Sequence, residues 1–282
     1  MLLEIFNQLY PEESFEFSPL SGGDINEAYK AISPDHRFCI KLNAADKFPQ
    51  MFEAEAHGLR LLRSATSLQV PEVYQVGEHQ GTQYLIMEFI EGGLRSGKMW
   101  ESFGRGLAEL HQQGSDQFGL ERSNYIGSLV QLNNWTYSWP EFLASQRFEP
   151  MLKMAVNNGH ITTTELAQFS KFERYIEEIW PTEPPALLHG DLWNGNYLPA
   201  ANDRACIIDP AVYYGHREID LGMMHLFGGF DNQLFDVYNE VFPLEKGWQD
   251  RIPYNQLYPL LVHVNLFGRS YWSGIERVIE RF

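Results

Sequence analysis

The sequence has no long apolar run, no basic excess and almost no cysteine, and each shortage removes a class of function. No stretch approaches the roughly 20 apolar residues that a bilayer crossing requires. The opening segment carries Glu4 and then further acid in place of a basic leader. The expectation is a soluble, cytoplasmic protein with no membrane partner. Lysine and arginine number 21 against 37 acidic residues, a net charge of −16. Such a field repels duplex nucleic acid, and no basic stripe overrides it, so no nucleic-acid partner is expected. The two cysteines, Cys39 and Cys206, each sit in a short apolar run, where a thiol acts as a small hydrophobe. A disulfide framework is not expected, in keeping with a reducing compartment. Internal repeats and low-complexity segments are absent as well.

What is present is a chain of 282 residues, 44% hydrophobic and 14% aromatic, which is enough for a large core divided between two lobes. The N-terminal third reads as strand-rich. A glycine-containing loop spans Leu20 to Ala31, a strand spans Arg37 to Leu42, and a helix begins at Asp46. A hairpin follows, with arms at Glu72 to Val76 and Thr82 to Ile90 around the turn-like Gly77 to Gly81. Beyond Glu91-Gly92-Gly93 the period becomes helical, through Phe103, Leu107 and Leu110 and again through Leu166, Phe169, Ile176 and Ile179. The lobes are therefore placed at residues 1–91 and 92–282. Two apolar runs, Ala186 to Leu188 and Cys206 to Ile208, interrupt the helical half, and each ends in acidic residues.

Those acids have the spacing of phosphoryl-transfer chemistry. His189-Gly190-Asp191-Leu192-Trp193-Asn194-Gly195-Asn196 precedes Ile207-Ile208-Asp209-Pro210. Transfer to a hydroxyl needs a carboxylate to orient it and take its proton, and oxygen ligands to hold Mg²⁺ against the phosphates. Asp191 suits the first role, Asn196 and Asp209 the second. The competing view is that both aspartates only cap turns after buried strands. Elements upstream weigh against that view. Lys41 lies among apolar neighbours, where an ammonium needs an anion. On the following helix Phe48, Phe52, Leu59 and Leu62 share one face with Glu55, whereas Glu53, His57 and Arg60 fall on the polar side. Glu55 is thus the expected partner of Lys41, unless it snorkels at the helix edge. Gly22 and Gly23 precede the Lys41 strand and can cover phosphates. Glu88, Phe89 and Ile90 lead into the glycine pair as a backbone hinge for adenine. The implied cofactors are ATP and Mg²⁺. Gly190 and Pro210 replace the arginine and phenylalanine of protein kinases, and no Ala-Pro-Glu follows, so an activation loop switched by phosphorylation is not expected.

Further motifs carry a resemblance. Met51-Phe52-Glu53-Ala54-Glu55, Asn124-Tyr125-Ile126-Gly127, Asn134-Trp135 with Trp139, the Asp191-Leu192-Trp193 extension and Gly215-His216-Arg217-Glu218-Ile219-Asp220-Leu221 together make the chain similar to the fructosamine kinase (ketosamine-3-kinase) family, relatives of the aminoglycoside and choline kinases. The resemblance implies a two-lobed, protein-kinase-like α+β fold, with a small sheet-rich N-terminal lobe and a larger helical C-terminal one, and ATP between them. It implies phosphorylation of the O3 hydroxyl of a ketosamine, either a small molecule or on a glycated protein. It also implies that Trp193 and His263 line a sugar pocket, although His263 stands in an apolar run that equally suits a core histidine. Arg217, Glu218 and Asp220 are read as structural support for the catalytic loop. Asp24 stands where a number of relatives carry a loop cysteine, so redox control there is not expected. Two other readings stay open: a kinase of another small hydroxyl acceptor, such as an aminoglycoside, choline, homoserine or a sugar, and a nucleotide-binding pseudokinase. Nothing in the sequence bears on oligomeric state.

Overall fold

A computed structural model describes residues 1–20 and 25–282; Gly22 and Gly23 of the expected phosphate cover lie outside the described residues. The N-terminal part contains α1 (Leu2–Leu9), β1 (Glu16–Pro19), β2 (Glu27–Ile32), β3 (Arg37–Ala44), α2 (Met51–Ala65), β4 (Val73–His79) and β5 (Thr82–Glu88). The strands form one antiparallel sheet in the order β1-β2-β3-β5-β4. Period-2 alternation divides its faces. Phe38, Ile40 and Leu42 of β3, with Tyr84 and Ile86 of β5, pack with Ile5 and Phe6 of α1. Leu85 and Met87 face the other way, into a cluster shared with Phe52, Leu59 and Leu62 of α2. Lys41, paired in register with Leu85, points to that second side.

Two boundaries differ from the sequence reading. α2 begins at Met51 and not at Asp46, because Pro49 has no amide hydrogen to donate and disfavours helical backbone before it, and Gln50 takes a left-handed φ of 59°. The hairpin turn is confined to Gln80 and Gly81, whose φ values of 49° and 77° suit a tight two-residue connection. Gly77 therefore lies within β4, opposite Tyr84.

The C-terminal part is mainly helical. It contains α3 (Gly97–His111), the hairpin of β6 (Asn124–Ile126) and β7 (Leu129–Gln131), and α4 (Trp139–Phe142), which continues through a π-helical stretch, Leu143–Phe148, into α5 (Glu149–Asn157). Then come α6 (Thr163–Phe172), α7 (Ile176–Ile179), β8 (Ala186–Leu188), β9 (Tyr197–Ala200), β10 (Arg204–Ile207) and β11 (Tyr213–Gly215). The chain closes with α8 (Glu218–Phe227), α9 (Asn232–Val241), α10 (Trp248–Asn255), α11 (Leu257–Phe267) and α12 (Trp272–Ile279). β8 pairs with β11 and β9 with β10, so the loops 189–196 and 208–212 run side by side between the two pairs. Gln69 bonds to the Ala205 carbonyl and the Ile207 amide, both at 3.0 Å, fastening the chain before β4 to β10. Among the described residues no helix is long and apolar enough to cross a membrane.

The phase of α2 is open to a direct check. Leu62 is fully buried and Arg60 exposed. In urea unfolding, Leu62→Ala is expected to cost about 2–5 kcal/mol, and Arg60→Ala to stay within about 0.5 kcal/mol. Equal losses would mean that the helix is rotated.

Candidate active site

A cavity of about 550 Å³ opens between the sheet and the helical part, with Lys41, Glu55, Asp191, Asn196 and Asp209 in its lining. Lys41 Nζ donates to Glu55 Oε1 and to Asp209 Oδ1, each at 2.6 Å. Burial alone would lower this ammonium's pKa; the two carboxylates outweigh burial and hold it above its ordinary value. Glu55 reaches Lys41 because it shares the apolar face of α2, while Glu53 is exposed. Asp209 sits just past the end of β10 with φ 55°, a left-handed conformation that aspartate tolerates at modest cost. Gly58 brings α2 close to the same loop, since a Cβ there would lie 3.3 Å from Pro210 and 3.2 Å from Val212.

The loop after β8 places Asp191 beside Asn196, whose Nδ2 donates to the Asp191 carbonyl at 2.9 Å and to its Oδ2 at 3.0 Å. Burial, reinforced by the charge of Asp209, pushes the Asp191 carboxyl up to about 7. Gly190 has φ 83°, and a Cβ there would meet the Ala211 carbonyl oxygen, so the arginine of protein kinases has no room. The loop is held from behind by Asp220, at the start of α8. Its two oxygens accept from the His189 and Gly190 amides at 2.8 and 2.9 Å. Burial opposes the Asp220 charge, but His111 at 3.2 Å and the amides keep its pKa low. His189 is fully buried and its pKa is lowered by burial. A neutral ring with hydrogen on Nε2 satisfies both of its contacts, donating to the Ile208 carbonyl at 2.9 Å and accepting from the Asp191 amide at 3.3 Å.

A lysine clasped by a helix glutamate and a strand-end aspartate, beside an aspartate and an asparagine five residues apart, is the arrangement that phosphoryl transfer uses. The sequence profile of one family, fructosamine kinase, matches residues 5–282. The chain belongs to the fructosamine kinase family. It is 40% identical over 267 residues to a protein of Enterococcus faecium named probable ketoamine kinase, covering 94% of each. It is 37% identical over 275 residues to the chloroplastic protein-ribulosamine 3-kinase of Arabidopsis thaliana, covering 93% of this chain and 81% of that one. A crystal structure from Thermobifida fusca assigned as a fructosamine-3-kinase superposes with a TM-score of 0.87 at 36% identity, covering 96% and 95% of the two chains. An aminoglycoside phosphotransferase, at 16% identity and a TM-score of 0.64 over 99% and 97% of the chains, shares the kinase-like fold.

In this fructosamine kinase family member, Trp193 and His263 also line the cavity. His263 is half-buried on α11, its Nδ1 2.8 Å from the Pro259 carbonyl, so it is neither a sealed core residue nor fully open. Glu88, Phe89 and Ile90 do not line the cavity. Their side chains are engaged elsewhere: Glu88 with the Glu72 amide, Phe89 beneath the Lys30 ammonium at 4.0 Å, and Ile90 with Ala200 and Cys206. Of their backbone, the Glu88 amide is already bonded to the Glu72 carbonyl at 2.8 Å. Of the three residues read as loop support, Asp220 alone touches the catalytic loop. Arg217 makes a bidentate pair with Glu183, 2.8 Å for each bond, and Glu218 pairs with Arg251, because both project from the α8 start toward other segments.

A second group of residues was not singled out by function in the sequence. Asn124 donates to the Val212 carbonyl at 2.8 Å, and Gln131 to the Ala211 carbonyl at 3.0 Å, pinning the chain that follows Asp209. Asn133, Tyr258 and the fully buried Arg147 complete this network. The available signal was three amides, Asn124, Gln131 and Asn133, in and just after a short hairpin.

The clasp is tested by two glutamates on one helix. Glu55→Gln is expected to lower kcat/KM for ATP by about 10- to 100-fold, the effect of losing a hydrogen bond between charged groups. Glu53→Gln should stay within about twofold. Equal effects, or a larger one at Glu53, would remove Glu55 from the clasp.

Proposed function

We propose that the protein is an ATP-dependent kinase that phosphorylates the O3 hydroxyl of ketosamines of the fructosamine or ribulosamine type, as small molecules or on glycated proteins. The carrying observation is the Lys41 clasp in the same cavity as the Asp191–Asn196 pair, in a chain that matches the family from residue 5 to residue 282. Asp191 is assigned as the base that orients the acceptor hydroxyl and takes its proton, its Oδ2 held by Asn196 and its Oδ1 outside that bond. Lys41, aimed by Glu55, is assigned to the α- and β-phosphates. The backbone of Glu88, Phe89 and Ile90 is assigned to the adenine edge, and residues 1–91 and 92–282 to the two lobes. Trp193 and His263 are assigned to the sugar, an indole face against its C–H groups and an imidazole to its hydroxyls.

The residues fit Mg²⁺. The ion takes one or two protein oxygens plus phosphate oxygens and water, and Asp209 with the Asn196 Oδ1 supplies that number. Among the described residues no three histidine, cysteine or acidic side chains cluster as a self-sufficient metal site. When bound, the ion would neutralise charge building on the phosphates. Phosphorylation at O3 makes the ketosamine labile, so that the amine is released and glycation is reversed. A cytoplasmic setting is consistent with this reading.

The test is a panel of acceptors scored by ADP formation: ribulosamine and fructosamine adducts against aminoglycosides, choline, homoserine and free sugars. Turnover should be concentrated on the ketosamines. Asp191→Asn should lower it by roughly 10²- to 10⁴-fold while nucleotide binding persists. Because Asp191 works as a carboxylate and its pKa is pushed up to about 7, wild-type kcat/KM should fall as the pH drops below neutrality. Preference for another acceptor would replace the substrate assignment, and ATP consumption with none of them would favour a pseudokinase.

A further inference from the structure

Exposed aromatic rings flank the part of the cavity assigned to the sugar: Phe267 lines it with Trp193 and His263, and Phe227 stands against those two residues at its rim. Trp193, Phe227 and Phe267 are 37%, 37% and 54% exposed. Single exposed apolar side chains are ordinary, but a contiguous set beside a site calls for a ligand. These rings are contiguous: Phe227 stands edge-on to Trp193 at 6.0 Å and lies 4.9 Å from His263, which is 5.4 Å from Phe267. Tyr271 closes the row, 5.0 Å from His263. Phe227 and Phe267 are the last residues of α8 and α11, each followed by a glycine of positive φ, Gly228 and Gly268. Termination of either helix needs that glycine and not an exposed ring before it.

Charge makes the wall selective. Among the described residues lining the cavity, Lys41 is the one permanent cation, and it is clasped by Glu55 and Asp209; Asp191 adds a third acid. The cavity lining at the aromatic end thus offers no cation to a carboxylate, Arg269 between Phe267 and Tyr271 being paired with Glu165 at 2.7 Å, while ring faces attract an ammonium. In a ketosamine the nitrogen is on C1, two carbons from the reacting hydroxyl, so with O3 at Asp191 the amine and its substituent emerge beside that hydroxyl. On the ketosamine reading given above, we propose that Phe227 and Phe267 form a shelf for the substituent on the acceptor's amine. The shelf takes alkyl or aryl groups, including a lysine side chain within a protein, over groups that place a carboxylate next to the nitrogen.

The experiment compares the ribulosamine adducts of benzylamine and glycine, with wild type, Phe227→Ala, Phe267→Ala and the double variant, alongside Tm as a check on folding. Wild type should prefer the benzylamine adduct. Each single variant should lower kcat/KM for that adduct by on the order of 3- to 10-fold, the effect of one aromatic contact, chiefly through KM. The glycine adduct should change by no more than about twofold. Phe227→Leu, which keeps the apolar volume at the helix end, should retain an intermediate preference. Absence of preference in wild type, or an equal loss for both adducts in the alanine variants, overturns the shelf. Turnover of neither adduct by the wild type overturns the ketosamine reading, and the shelf with it.

Discussion

The Lys41 ammonium is the point on which the rest of the site depends. A buried cation is strongly disfavoured unless anions surround it, and its two partners come from separate segments, Glu55 from α2 and Asp209 from the loop after β10. Satisfying the lysine therefore fixes three elements at once: the central strand of the N-terminal sheet, the helix behind it, and the chain between the two small strand pairs. A second contact reinforces the clasp, because Gly58 lets α2 lie directly on Pro210 and Val212. The clasp is thus formed with α2 held by direct packing on the loop that carries Asp209.

Behind the two acidic loops stand buried polar groups that carry no chemistry themselves. Asp220 holds the His189 and Gly190 amides and is held in turn by His111, which also bonds Tyr238. Asn124 and Gln131 hold the Val212 and Ala211 carbonyls, and the Ala211 amide donates to the His189 carbonyl at 2.9 Å, joining the loops to each other. Such groups are tolerable in a core only when satisfied. Removing one strands its partner, so the network favours one geometry at the positions where about 1 Å decides a rate.

Much of this was legible in the sequence where one residue type has one tolerable environment. A lysine in an apolar strand requires an acid, and helical phase selects Glu55 over Glu53. Asp191 and Asn196 declare themselves by their interval, and Asp209 by closing an apolar run. Legibility failed where a local breaker was overlooked and where the deciding partner is distant in sequence. The start of α2 was set by Pro49 against a pattern that already looked helical at Asp46. Arg217 and Glu218 adjoin Asp220 in sequence, yet they serve Glu183 and Arg251, which only the packing of α8 reveals. Phe227 reads as one more apolar residue of its helix, and its place beside Trp193 and His263 appears only when α8 and α11 are assembled.

The measurement that bears most directly on the account is ³¹P NMR of a ribulosamine incubated with the protein, ATP and Mg²⁺. The account predicts that the γ-phosphate signal declines as a phosphomonoester coupled to the proton on C3 appears, followed by release of the free amine. A phosphomonoester on the terminal hydroxyl, or an unchanged ATP spectrum with folded protein that binds ATP, would contradict it.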